Sequence, residues 1–143
     1  MAKTTQIHRD KVRAFLATGY RIGHIAQDIV LHIDQHSERL TRLFADNGVN
    51  CGAFLTAFNP RSTIQPNEVN DQAHAQLCAK LQELGLQAKE GSGSEEGTEW
   101  PAEKSYFALG LALEPAKALG THFDQDAIVW VGPDAIPQLI LLR

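Results

Sequence analysis

From residue 52 onward, short apolar runs alternate with amphipathic stretches in the order strand, helix, strand, strand, helix, strand, and one more strand follows. That order limits the fold more than any other feature of the chain. Two strands separated by a helix need a crossover, whereas two consecutive strands can pair directly as a hairpin. The first strand, over residues 52–58, ends at Pro60, which has no N–H to give to a ladder. Pro66 precedes a helix whose apolar face reads Val69, Ala73, Leu77, Leu81 and Leu84, with Gly85 placed to end it. A short strand over 86–89 leads into Glu90-Gly91-Ser92-Gly93-Ser94-Glu95-Glu96-Gly97-Thr98, whose composition predicts a flexible loop over 90–99, closed by Trp100-Pro101. Residues 105–113 form the most apolar strand, and Glu114-Pro115 opens a helix that runs to Phe123. Strands over 127–131 and 138–142 flank a Gly132-Pro133-Asp134 turn.

The N-terminal third adds to this unit. Val12, Phe15 and Leu16 share one face of a helix that starts near Arg9 and stops at Gly19. Tyr20-Arg21-Ile22 reads as an edge strand, and residues 28–34 alternate as a half-buried strand. Ser37 is an N-cap for a helix through Asp46 with a Leu40, Leu43, Phe44 stripe, stopped by Asn47-Gly48. A chain of 143 residues buries about 68% of its unfolded surface, enough for one domain over 1–143. The expected architecture is α+β: a two-layer sandwich with a mostly antiparallel sheet, helices on one face, a ferredoxin-like βαββαβ core and extra N-terminal helix and strand elements.

Composition narrows the function classes. Net charge is −4 and the pI about 5.8, so the chain offers no basic footprint for nucleic acid. Nothing at the N-terminus has the apolar core of a secretory signal, and the longest strongly apolar run is too short to span a bilayer, so a cytoplasmic protein with no membrane partner is expected. Cys51 and Cys78 are isolated thiols, read as small buried hydrophobes. His32 and His36 are four apart, but Asp34 lies between them in an extended pattern, so no metal is expected. Gly91-x-Gly93 runs into Trp100-Pro101 instead of a helix, and no cofactor is indicated.

The candidate site follows the first strand. Asn59, Arg61 and Ser62 form a polar turn where groups are fixed yet reachable, and Asn70 and His74 recur along one flank of the next helix. Arg61 suits forked hydrogen bonds to a carboxylate or phosphate, and the helix start adds unpaired N–H groups. Glu103 and Ser105 stand at the entrance to the apolar strand. Together these residues predict binding of a small polar or anionic ligand, such as a nucleotide or phosphorylated metabolite. The competing reading is that the Asn and Ser residues satisfy turn backbone and that Glu103 pairs with Arg61. Two other classes compete: an interaction module that pairs its C-terminal sheet edge with a second copy or a protein partner, and a hydrolase or transferase using Glu103 and His74.

The Thr-Ala-x-Asn-Pro-x-Ser run at 56–62, Asn70, Trp100, Glu103-x-Ser105, Gly110 and Phe123-x-Gln125-x-Ala127-Ile128-Val129 are similar in order and spacing to a bacterial family, the domain of unknown function 3293. The resemblance extends over residues 20–131 and implies no established activity. His74 departs from it, standing where the family pattern tends to place a second Asn, which puts the protonation behaviour of that position in question.

Overall fold

The computed structural model describes residues 5–23, 29–95 and 102–143. Its elements run α1 (Arg9–Ala17), β1 (Thr18–Ile22), β2 (Ile29–Leu31), α2 (Glu38–Asp46), β3 (Gly52–Leu55), a one-turn 3-10 helix (Pro60–Ser62), α3 (Asn67–Glu83), β4 (Ala88–Glu95), β5 (Glu103–Leu109), α4 (Leu113–His122), β6 (Ala127–Val131) and β7 (Pro137–Leu141). The seven strands make one curled antiparallel sheet in the order β2-β1-β4-β5-β3-β6-β7. Its four central strands, β4-β5-β3-β6, are joined by α3 between β3 and β4 and by α4 between β5 and β6.

Helices pack on both faces of the sheet, which corrects the expected two-layer arrangement. Leu77 and Leu81 of α3 and Ala116 of α4 share a cluster with Leu55, Tyr106, Ala108 and Ile128. On the opposite face, Leu40 and Phe44 of α2 share a cluster with Tyr20, Leu31, Phe54, Phe107, Leu109 and Val129. Alternation along each strand sends neighbouring side chains to opposite faces, so one apolar run serves two cores. That is why residues 105–109 are buried without a break.

At two strand positions on the α2 face there is no room for a side chain. A Cβ on Gly52 would lie 2.6 Å from the Phe107 ring, and one on Gly91 would lie 2.2 Å from the Arg21 carbonyl oxygen. Glycine at both positions lets β1, β3 and β4 bend around the aromatic side chains. The expectation of a loop over 90–99 is therefore corrected: residues 90–95 belong to β4, with 91–93 paired to both β1 and β5. Residues 96–99 of that segment lie outside the described residues, as do Trp100 and Pro101.

Smaller differences have local causes. β1 is an inner strand between β4 and β2, so β2 and not β1 is the edge. Residues 28–34 contribute only Ile29–Leu31 as strand; residue 28 is outside the described residues, and Asp34 turns the chain at a φ of 67°. Val69 and Leu84 are exposed at 47% and 53%, so the buried face of α3 is Asn70, Leu77 and Leu81, with Ala73 packed beside them. Cys51 and Cys78 are half-buried free thiols, and the Cys51 thiol donates to the Leu111 carbonyl at 3.5 Å. The N-cap at Ser37 matches expectation, accepting from the Leu40 N–H at 3.1 Å. Among the described residues no helix is long and apolar enough to cross a membrane.

Candidate functional site

Two helices share the curled face of the sheet, but they cover it differently. α2 drives Leu40 and Phe44 into it, and the Phe44 ring stacks on Phe107 with centroids 6.3 Å apart. α1 lies over the other half without burying a single residue. A cavity of about 360 Å³ is left beneath it. Phe15 and Ala14 of α1, Tyr20, Phe54, Val129 and Leu139 supply apolar wall, and Thr18, Thr56, Asn59, Ser62, Glu103, Ser105, Gln125 and Asp126 supply polar groups.

Strand register explains how these residues meet. Tyr20 on β1 is opposite Gly93 on β4, which is opposite Glu103 on β5, so the three form one row on one face. Because Gly93 has no side chain, the Tyr20 ring and the Glu103 carboxylate share open floor across its backbone. The Tyr20 and Phe54 rings meet edge to face with centroids 5.3 Å apart at 72°. The Tyr20 hydroxyl donates to the Phe15 carbonyl at 2.6 Å, tying β1 back to α1. Burial raises its pKa, the nearby Glu103 charge adds to that, and a hydrogen bond with Thr18 pulls the other way. The phenol therefore stays protonated.

Behind the cavity, most of the expected site residues converge on one another. Asn59 is 6% exposed and makes hydrogen bonds from every polar part. Its N–H donates to Asn70 Oδ1 at 2.9 Å, its Nδ2 donates to Glu103 Oε2 at 2.8 Å, and its Oδ1 accepts from Asn70 Nδ2 at 2.9 Å and the Gln65 N–H at 3.2 Å. Asn70, 2% exposed, also accepts from Gln65 Nε2 at 2.8 Å. This knot holds a costly backbone: Asn59, Arg61 and Ser62 have φ of 45°, 55° and 58°. Gln125 Nε2 donates to the Phe58 carbonyl at 3.0 Å, anchoring the strand end from the other side.

Asn59, Ser62, Glu103 and Ser105 line the cavity; Arg61, Asn70 and His74 do not. Arg61 is 62% exposed at its side chain and reaches Asp124 at 4.0 Å, outside the cavity, which corrects the expected Glu103–Arg61 pair. Asn70 is committed to the knot. His74 lies against the other face, stacked on Tyr106 at 4.3 Å and edge-on to Phe58 at 5.8 Å. Its Nδ1 is buried without a partner among the described residues. Burial lowers its pKa, with the charge of Lys104 adding to that and Glu90 and Asp71 opposing, so it acts as a neutral aromatic plate. Glu103 and His74 thus sit on opposite faces of the sheet and cannot share a substrate as an acid–base pair. Ser105 donates its hydroxyl to the Glu103 carbonyl at 3.1 Å, and its burial at 1% exposure fits a packing role.

The residue that sequence reasoning missed is Asp126, one of the unassigned positions within Phe123-x-Gln125-x-Ala127. Its side chain is 0% exposed and meets Arg143 Nε at 2.6 Å, the Ser62 hydroxyl at 2.9 Å and Lys11 Nζ at 3.6 Å. Burial pushes its pKa up, but the hydrogen bonds from Arg143 and Ser62 and the charges of Arg143 and Lys11 outweigh it, and the net shift is downward. Lys11 Nζ also donates to the Arg61 carbonyl at 3.1 Å. One carboxylate thereby fastens α1, the strained turn and the end of the chain around the cavity mouth. The available signal was an Asp placed directly before an apolar strand.

The sheet edge considered for partner binding is short. β7 starts at Pro137, which has no N–H, and the Pro137 carbonyl already accepts from the Asp34 N–H at 2.8 Å.

No curated protein and no solved structure matches this chain. The family described as Protein of unknown function (DUF3293) matches it over residues 55–128, from the last residue of β3 into β6. That stretch holds Asn59, Ser62, Asn70, Glu103, Gln125 and Asp126, the knot and floor of the site, whereas α1 and Tyr20 lie outside it. With more than half of its length matched, the chain belongs to the DUF3293 family.

Proposed function

We propose that the cavity under α1 binds a small organic molecule. The observation that carries this reading is a helix laid over half of a curled sheet without filling it, leaving about 360 Å³ with apolar walls and a few oriented polar groups. That size and lining fall within the range of small-molecule sites. The cavity is open to solvent on one side and is not a sealed void. Solvent or a ligand fills it. The supporting scaffold, β3-α3-β4-β5-α4-β6, is read as a ferredoxin-like split unit on the strength of its β4-β5-β3-β6 order.

The test is a thermal-shift screen of small amines, acids, alcohols and nucleotides against the wild type and Ala14→Phe. Ala14 faces the cavity from α1, so the larger ring occupies it. Binding in the wild type is expected to add about 2.7 kcal/mol at one hundred times the dissociation constant and to vanish in the filled variant. A screen in which no compound shifts the wild type contradicts the reading.

A further inference from the structure

The hydroxyl hydrogens around the cavity are already committed to the protein. Tyr20 donates to the Phe15 carbonyl at 2.6 Å, Thr18 to the Ala14 carbonyl at 2.7 Å, Thr56 to the Lys104 carbonyl at 2.7 Å, Ser62 to Asp126 Oδ2 at 2.9 Å and Ser105 to the Glu103 carbonyl at 3.1 Å. Each partner is a carbonyl or carboxylate oxygen with no hydrogen of its own, so the hydroxyl is the donor in every pair. All five residues line the cavity. Gln125, 8% exposed and also in the wall, follows the same rule. Its Nε2 donates to two backbone carbonyls, Phe58 at 3.0 Å and Phe123 at 3.4 Å, so Oε1 is the end of the amide left to accept. Ser94 follows Gly93 on β4, and alternation sends its side chain to the opposite face. At the mouth, the Lys11 ammonium is drawn to Asp126 at 3.6 Å and to the Arg61 carbonyl at 3.1 Å. What these side chains leave for a ligand is mainly oxygen lone pairs.

We infer that the cavity selects a ligand whose polar end donates a hydrogen bond: a neutral O–H or N–H, as in an alcohol or a phenol, on an apolar body that fills the space under α1. The inference rests on the cavity reading and adds the direction of the ligand's hydrogen bonds to it. The hydroxyl oxygens of Tyr20, Ser62 and Ser105 and the carbonyl oxygen of Gln125 can each accept while keeping the bonds they already make. A ketone, ether or ester of the same shape would set oxygen against oxygen. Turning one of the hydroxyls round to meet it would break a bond to a protein oxygen and strand that oxygen, which is the more costly way to lose a hydrogen bond. The body of the ligand meets the apolar wall of Phe15, Phe54, Val129 and Leu139.

The experiment is calorimetric titration of the wild type and Ala14→Phe with two probes of matched shape, 1-phenylethanol and acetophenone. They share one carbon and oxygen skeleton, and only the alcohol can donate. The tighter-binding enantiomer of the alcohol is expected to bind the wild type about tenfold or more tightly than the ketone, because a site built to pair a donor rejects the analogue that lacks it. Its binding is expected to vanish in Ala14→Phe, where the added ring occupies the cavity. Equal affinities, or tighter binding of the ketone, with both lost in Ala14→Phe, would overturn the donor inference and leave the cavity as a site of other selectivity. Binding that persists in a folded Ala14→Phe would overturn both readings, since the probe then sits elsewhere. Binding of neither probe at millimolar concentration would overturn the donor inference and count against the cavity reading. The wild-type ratio of the two affinities decides the donor inference even if Ala14→Phe does not fold.

Discussion

Asp126 joins three separate parts of the chain through Arg143, Ser62 and Lys11. Its depressed pKa means that the unfolded chain binds a proton more readily than the folded one, so its contribution is complete above the unfolded Asp value of about 4 and fades as pH falls through the folded value. Asp126→Asn is expected to cost about 2–3 kcal/mol at pH 7, less than a fully buried pair because Lys11 and Arg143 remain partly exposed. The variant should also lose part of the wild type's decline in stability between pH 5 and pH 3. Urea unfolding across that range checks both; a slope unchanged in Asp126→Asn would mean that other carboxylates control acid stability. Arg61 makes the opposite case. It holds a left-handed backbone and points away from the cavity, so Arg61→Gly is expected to stabilise by up to about 1 kcal/mol and leave ligand affinity unchanged.

At the scale of elements, β4 shows how a composition that suggests a linker can instead be structural. Gly91 and Gly93 sit two apart on the same face, yet they meet different surroundings. A Cβ at Gly91 collides with the Arg21 backbone, whereas one at Gly93 finds only ordinary contacts, the nearest at 3.7 Å to Thr18 and Tyr20. Gly91→Ala is therefore expected to cost several-fold more stability than Gly93→Ala, which should fold normally and add a methyl to the cavity floor; paired thermal melts decide it. α2 is tied to the β6–β7 turn by His36, which meets the Asp134 carbonyl at 2.8 Å and Glu38 at 3.1 Å. The backbone contact first, then the Glu38 bond, raise its pKa, so this tie is strongest below the usual histidine value and weakens as pH rises through the folded one. An NMR titration of His36 should give a midpoint above that of an exposed histidine. Most elements were legible in the sequence because each has a local signal: Ser37 caps α2 and Gly85 ends α3, although the strand expected over 52–58 already ends at Leu55. Two-sided packing was not legible, since a buried run such as 105–109 has no polar face to show which side a helix takes. Val69 was misplaced for a related reason: Asn70, a polar residue, occupies the buried flank that Val69 was expected to fill.

Over the whole molecule, the site is assembled from parts distant in sequence, and that is why only some of it could be read in advance. Asn59, Ser62, Glu103 and Ser105, which the sequence marks by their positions beside strands, line the cavity. Tyr20 and Asp126 join them only through strand register and the return of the C-terminus, which no local pattern encodes. The fold has a packed half under α2 and an unfilled half under α1. Amides of α1 are accordingly expected to exchange with deuterium faster than those of α2, because a helix that buries no residue opens at little cost. The most direct test of the central claim is to see where a ligand lands. In methyl-labelled protein titrated with the compound that gives the largest thermal shift in the screen, saturable shifts are expected at Ala14, Val129 and Leu139 around the cavity, with Leu77 and Leu81 on the α3 face unmoved. Shifts confined to the α3 face, or none at any methyl, would contradict it.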